Sequence, residues 1–170
     1  ELSMRNSICG NSGRGVSVFG AEAIGNALLG NRIVSNGSGG ITLEGKSAAI
    51  NARTSRVGPN NYQSAPALTS ATRSRARADL GQGTVVAGSF DALPTTVYRI
   101  EVFSTSTKVP LADATAAVSA PASTPRGEGD KLVLAATITT DVNGRADFTL
   151  LVPNGIESRA LITATATDPA

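Results

Sequence analysis

The chain of 170 residues contains no histidine, no tryptophan and a single cysteine, Cys9. One cysteine cannot form an internal disulfide, so no disulfide framework holds the fold together. The lack of histidine excludes Ser-His-Asp and Cys-His nucleophilic schemes, and it also excludes zinc sites built on histidine. Because Cys9 aligns with a valine in the repeat described below, we interpret it as a small structural residue.

Aromatic residues (4%) and charged residues (16%) are both scarce, and the net charge is only +2. Nucleic-acid binding is not expected, because basic residues interleaved with stacking aromatics are missing. No apolar run approaches the roughly 18 residues of a membrane span, and residues 1–5, ELSMR, lack the apolar region expected of a signal peptide. What the chain has instead is Ala, Thr, Ser, Val and Gly, a composition typical of regular β structure with a core of small side chains.

Two stretches of the N-terminal part repeat each other with an offset of 25 residues. Residues 6–11, NSICGN, align with 31–36, NRIVSN, and the register continues from 15–20, GVSVFG, to 40–45, GITLEG. Apolar and polar residues alternate in VSV and ITL, which predicts strands with one buried face. Asn and Gly flank the strands and supply the positive φ angles of sharp corners. Such a unit is typical of a β-solenoid coil.

Stacking the two coils predicts which residues become neighbours. Ile8 would lie on Ile33, and two pairs of asparagine side chains would bond along a ladder. The two asparagine pairs are Asn6 with Asn31 and Asn11 with Asn36. The other apolar pairs are Val16 with Ile41 and Val18 with Leu43. At least about three repeats are usually needed to bury a continuous core. We therefore expect further coils before Glu1, or a partner over the open end.

From residue 65 onward, the spacing of the predicted strands becomes that of an antiparallel sandwich. In residues 96–103, TVYRIEVF, the side chains of Tyr98, Ile100 and Val102 share the apolar side. Residues 141–144, DVNG, predict a hairpin turn. Residues 104–130, which contain three prolines and many small residues, predict a long loop or a weak edge region. The other predicted strands are 84–90, 131–140, 145–152 and 161–167. Six to seven strands in about 100 residues favour an immunoglobulin-like sandwich.

These patterns predict an all-β chain in three parts. Residues 1–50 would be the C-terminal coils of a parallel β-helix, residues 51–64 a connector, and residues 65–170 the immunoglobulin-like β-sandwich. The connector contains the turn sequence GPNN at 58–61. We expect Tyr62 and residues 65–68 to pack on it as a plug.

The sequence of the N-terminal part, residues 6–45, resembles the coils of right-handed parallel β-helix repeat proteins of the pectate-lyase-like superfamily. Residues 58–71, GPNNYQSAPALTSA, resemble the segment that follows such helices in many large exported bacterial proteins and leads into a small β-sandwich. The features of that module are YRIEVF at 98–103, GEG at 127–129, TTDVNG at 139–144 and ITATATDPA at 162–170. The resemblance implies a modular secreted or cell-surface bacterial protein with an adhesive, scaffolding or glycan-associated role.

Candidate contact residues lie around the connector. A basic band there is a candidate contact for acidic glycans or an anionic surface, and it consists of Arg53, Arg56, Arg73, Arg75 and Arg77. Tyr62 is a candidate glycan contact, because sugar binding generally uses exposed aromatic side chains. The plainer interpretation of both is a solvated connector that binds nothing.

Catalytic residues, cofactors and metals are not predicted. Glu22 and Glu44, the carboxylates of the coils after Glu1, lie 22 rather than 25 residues apart and need not stack as a catalytic pair. Glu128 and Asp130 offer oxygen ligands, but a flexible loop explains them as well.

The leading hypothesis is a non-enzymatic structural or adhesive module of a secreted or cell-surface protein: a β-helix stalk with a sandwich cap. We expect self-association through strand edges, or binding to another surface protein or a glycan. The alternative is the C-terminal part of a polysaccharide-active enzyme, or a carbohydrate-binding module.

Overall fold

The computed structural model describes residues 5–43, 46–47, 58–77, 81–106 and 129–168, with only the backbone of 46–47, 75–77 and 81–82. This described part is all-β, with one 3₁₀ turn at Pro59–Tyr62 and no α-helix, so it contains no helix able to cross a membrane. The strands are β1 (Ser7–Cys9), β2 (Val16–Val18), β3 (Arg32–Val34), β4 (Ile41–Leu43), β5 (Lys46–Ser47), β6 (Ala67–Arg77), β7 (Gly81–Asp91), β8 (Val97–Thr105), β9 (Lys131–Thr139), β10 (Arg145–Val152) and β11 (Leu161–Thr167).

The first four strands pair in parallel with the predicted offset. Pairing of β1 with β3 places Ile8 opposite Ile33, and pairing of β2 with β4 places Val16 opposite Ile41. Every strand pair predicted from the repeat is therefore confirmed. We call residues 6–30 the first coil and residues 31–43 the second coil. On its other side, β4 pairs antiparallel with β5, so the second coil is followed by a strand of opposite direction.

The predicted amide ladder is present. The Nδ2 atom of Asn6 donates to Oδ1 of Asn31 at 3.1 Å, and Nδ2 of Asn11 donates to Oδ1 of Asn36 at 2.8 Å. Asn36 is buried, and its own Nδ2 donates to the carbonyl of Ile8 at 3.1 Å. These side chains bond the two coils where the strands, at three residues each, provide few backbone hydrogen bonds.

The two coils differ in how well their apolar residues are covered. In the second coil Ile33, Val34 and Leu43 are buried. In the first coil Phe19 is 64% exposed and Ile24 is 57% exposed. The first coil therefore presents apolar surface that nothing in the described part of the chain covers.

The C-terminal part contains two three-stranded antiparallel sheets, in the orders β10-β7-β6 and β11-β8-β9. Their inner faces share one core, in which Phe90 of the first sheet meets Tyr98 of the second edge to face, with ring centroids 4.9 Å apart. Ile100 and Val102 are fully buried in the same core. The predicted apolar side of β8 is thus confirmed, and the packing is sandwich-like.

Strand β6 was missed by the sequence interpretation, which assigned its residues to the plug and the basic band. It pairs antiparallel with β7 along the edge of the sheet, and most of its described side chains are exposed. Pro66, just before it, is buried, and Leu68 packs on the shared core. An edge strand held by its backbone ladder needs few buried side chains, so the alternation that reveals other strands is absent.

The predicted tight turn at residues 141–144 is present, but the predicted hairpin is wrong. Strand β9 pairs with β8 and strand β10 pairs with β7, so the turn carries the chain from one sheet to the other. The Oδ1 atom of Asp141 accepts the N–H groups of Asn143 at 2.8 Å and Arg145 at 2.9 Å. Gly144 has a φ of +78°, and a Cβ there would lie 2.2 Å from the carbonyl oxygen of Ala92. This turn therefore requires glycine. The predicted long loop falls largely on residues 107–128, outside the described residues.

The ladder gives a matched pair of substitutions. Asn36→Ala should lower the free energy of unfolding by about 1–3 kcal/mol, because it leaves buried backbone groups without their partner. Asn31→Ala removes the equivalent but more exposed amide and should cost about 1 kcal/mol or less. Urea unfolding followed by circular dichroism measures both. Equal losses would show that the buried amide does not stabilise the coils.

Candidate functional site

The outer side of β8 is buried although it carries polar residues. Glu101 is 1% exposed, and Phe103 and Thr105 on the same side are also buried. This side faces away from the core between the sheets, and residues of the coils and of the segment before β9 cover it, as the contacts below show. Nothing in the alternation of residues 96–103 indicated this second covering layer.

The Glu101 carboxylate joins the coils to the sheet. Its Oε2 accepts the backbone N–H of Gly30, in the first coil, at 2.8 Å. Its Oε1 accepts Nε and Nη2 of Arg99 at 3.0 and 2.9 Å, and Arg99 reaches solvent. Three donors therefore satisfy a buried charge that would be costly to bury alone. One of them comes from a part of the chain distant in sequence.

A second contact lies beside the first. The backbones of Ile33 and Gly129 exchange hydrogen bonds of 3.0 and 2.6 Å as an isolated antiparallel bridge. The neighbouring Arg32 Nε donates to Asp130, and this hydrogen bond raises the pKa of the Arg32 guanidinium, which therefore stays cationic. A Cβ on Gly129 would lie 2.4 Å from Cβ of Phe103, so only glycine fits between the coil and the sheet.

A third contact uses an unusual backbone conformation. Asn60, Asn61 and Tyr62 have φ angles of 45°, 50° and 47°, three left-handed residues in a row. Each left-handed non-glycine residue costs roughly 1–2 kcal/mol. The Asn60 side chain accepts the N–H of Asn26 at 2.9 Å and donates to its carbonyl at 2.8 Å, and the Asn60 N–H donates to Ala23. These bonds to the first coil offset the strain.

A cavity of about 130 Å³ lies where these parts meet. Its walls are the first coil near Asn26, strand β4, residues 60–65 and the end of β11. Asp168 is the one charged side chain among the described residues that line it. The Oγ1 of Thr165, also on the wall, is buried and has no hydrogen-bond partner among the described residues. The cavity thus combines aliphatic walls with amide and hydroxyl groups.

The arginine band is only partly described. Arg53 and Arg56 lie outside the described residues. The backbones of Arg75 and Arg77 belong to β6, but their side chains are not described. Arg73 is exposed on the same strand, and its Nη2 donates to Ser158 Oγ at 3.1 Å. Anion binding by this band therefore stays a prediction.

Tyr62, the candidate glycan contact, is half-buried at the junction. Its ring packs on Gly58, where a Cβ would lie 2.2 Å from Cε2 of the ring. The ring therefore lies against the backbone of the connector. Glycan binding at Tyr62 stays a prediction.

The remaining residues considered in the sequence analysis are Cys9, Glu128 and Asp130. Cys9 pairs with Val34 as predicted, yet Cys9 is exposed while Val34 is buried. Asp130 bonds to Arg32, and Glu128 lies outside the described residues. No group of three or more potential metal ligands occurs in the described ranges.

No protein-family model matches the chain, and no curated protein sequence matches it.

The buried carboxylate and a surface carboxylate provide a matched comparison, because each pairs with an arginine two residues before it on its strand. Glu101→Ala should destabilise the protein by about 1–3 kcal/mol, since it leaves the Gly30 N–H without its acceptor, while the Arg99 guanidinium stays solvated. Asp147→Ala, at an exposed pair, should change stability by no more than experimental error. Thermal unfolding by calorimetry measures both. A Glu101→Ala protein as stable as the parent would refute the role of this contact.

Proposed function

We propose that the chain is a non-enzymatic structural module in which the last coils of a right-handed parallel β-helix end against an immunoglobulin-like β-sandwich. The observation that carries this proposal is the covered outer side of β8, where the Glu101 carboxylate is buried and accepts a hydrogen bond from the first coil. The sandwich acts as a cap on the coils, and the coils act as a stalk.

The contacts around the second coil support capping. Strand edges with free N–H and C=O groups pair readily with other chains, so a coil stack needs a covered end. Here β5 pairs with β4, and Gly129 pairs with Ile33 of β3. Both strands of the second coil therefore have a second partner from outside the repeat.

The chemistry of the contacts supports a rigid joint. A buried carboxylate, a backbone bridge and the Asn60–Asn26 bonds hold the coils at three places. Without the coils, the Glu101 carboxylate would lack the hydrogen bond that it accepts from the Gly30 N–H. We therefore infer that coils and sandwich fold as one unit, as suits a stalk that transmits force or keeps a fixed length.

The site of action that we propose is the bacterial cell surface or the extracellular medium. The resemblance of residues 6–45 and 58–71 to segments of exported β-helix proteins supports it. An adhesive or scaffolding role follows from the same resemblance, with another surface protein or a glycan as the partner.

Two tyrosines allow a direct test of the rigid joint, because Tyr62 lies beside the coils and Tyr98 lies in the sandwich core. The Tyr62→Phe variant keeps only Tyr98, and the Tyr98→Phe variant keeps only Tyr62. In each variant, the unfolding midpoint from tyrosine fluorescence should equal the midpoint from circular dichroism. Adding Gly129→Ala should separate the fluorescence midpoints of the two backgrounds, because its Cβ forces Phe103 away from the coil.

The control for this test is Gly13→Ala, whose Cβ would meet no atom within 4 Å. It should leave the midpoints together. Separate midpoints without any glycine substitution would show that the parts fold independently, which would contradict the proposed joint.

Removal of the cap gives a second test. A protein ending at residue 64 should self-associate, because β3 loses its bridge to Gly129 and apolar surface such as Ile33 becomes exposed. Light scattering should show growth in mass with concentration. A soluble, concentration-independent monomer would argue against capping.

A further inference from the structure

The cavity at the junction follows the edge of a strand. Five consecutive residues, 164–168, line it, and four of them belong to β11. Successive side chains of a strand point to opposite faces, so a cavity that touches consecutive residues lies along the strand's edge. It therefore borders the backbone of β11 as well as its side chains.

That edge of β11 is open. Within the described ranges, β11 pairs only with β8 on its other side. In an antiparallel edge strand, every second residue directs its N–H and C=O groups outward. The buried and unpartnered Thr165 Oγ1 is a further polar atom at this wall. The cavity therefore contains hydrogen-bonding capacity that the described residues do not use.

We propose that this cavity is a peptide-binding slot, in which an extended segment of a partner protein adds to β11 as a further strand. Strand addition to a sheet edge is a recurrent mode of peptide recognition, with backbone bonds for affinity and side-chain pockets for specificity. The lined edge spans about four to five residues of an added strand, since a strand rises about 3.3 Å per residue. At about 130 Å³ the cavity itself has room for one of the added side chains, and the rest of the peptide follows the open edge of β11. The slot borders the Asn26–Asn60 contact of the proposed joint, but neither Glu101 nor Gly129 lines it.

The walls define the side chains that the peptide carries. On the coil side are Leu28, Ile41 and Leu43, which favour small aliphatic side chains at alternate positions. Asp168 supplies the only charge on the described wall, so the slot favours a neutral or basic peptide over an acidic one. The side-chain amides of Asn61 and Gln63 lie on the same wall and offer hydrogen bonds to the peptide.

Hydrogen exchange of the full chain tests the open edge. Alternate amides of residues 164–167 should exchange quickly in the free protein, and the intervening amides, bonded to β8, should exchange slowly. Slow exchange at all four would mean that the slot is already closed, and would overturn the proposal.

The binding probe is the capped pentapeptide acetyl-Thr-Val-Thr-Val-Lys-amide, followed by NMR chemical shifts. Binding should shift the amides of residues 164–167 and protect the fast-exchanging ones. A version with Glu in place of Lys should bind at least threefold more weakly. Shifts confined to other residues, or none at millimolar peptide, would overturn the proposal.

Two N-methylated peptides provide the sharpest control. Methylation of residues 1, 3 and 5 removes the donors of one edge, and methylation of residues 2 and 4 removes those of the other. Strand addition uses one edge against β11, so one isomer should lose at least tenfold in affinity and the other should lose much less. Equal affinities would show that the peptide does not bind as a strand.

Discussion

The structure depends on the burial of the Glu101 carboxylate. A carboxylate held away from water is stabilised only if donors surround it, and part of this set comes from Gly30 in the first coil. The outer side of the sandwich sheet is therefore satisfied only when the coils are docked on it. The same contact keeps the second coil next to Gly129, whose lack of a side chain lets the backbones approach.

Asparagine side chains supply hydrogen bonds that the backbones of longer strands would otherwise provide. Strands of three residues make few ladder hydrogen bonds, and in the coils Asn11 and Asn36 add side-chain bonds between successive turns. At the connector, Asn60 bonds both backbone groups of Asn26 as a neighbouring strand would. This explains how a chain with few aromatic residues and no internal disulfide keeps short strands in register.

Strand edges give the molecule its potential for association. The second coil has its edges covered by β5 and Gly129, whereas the first coil exposes Phe19 and β11 faces a cavity. Covered edges suit an internal joint, and open edges suit contacts with other chains. A structural module that binds by adding strands would need both kinds.

The sequence alone determined the local features of this protein. The offset between the repeats determined the pairing of Ile8 with Ile33 and the amide ladder, because stacked coils place like residues on like. The sequence DVNG determined a tight turn but not the predicted hairpin, because the strands before and after it pair in different sheets. Alternation determined the buried side of Tyr98. Only the tertiary structure decided that Glu101 is buried, that Gly129 meets Ile33 and that β6 is a strand. Those features depend on contacts between distant segments, or on backbone pairing without an apolar pattern, and neither leaves a periodic signal along the chain.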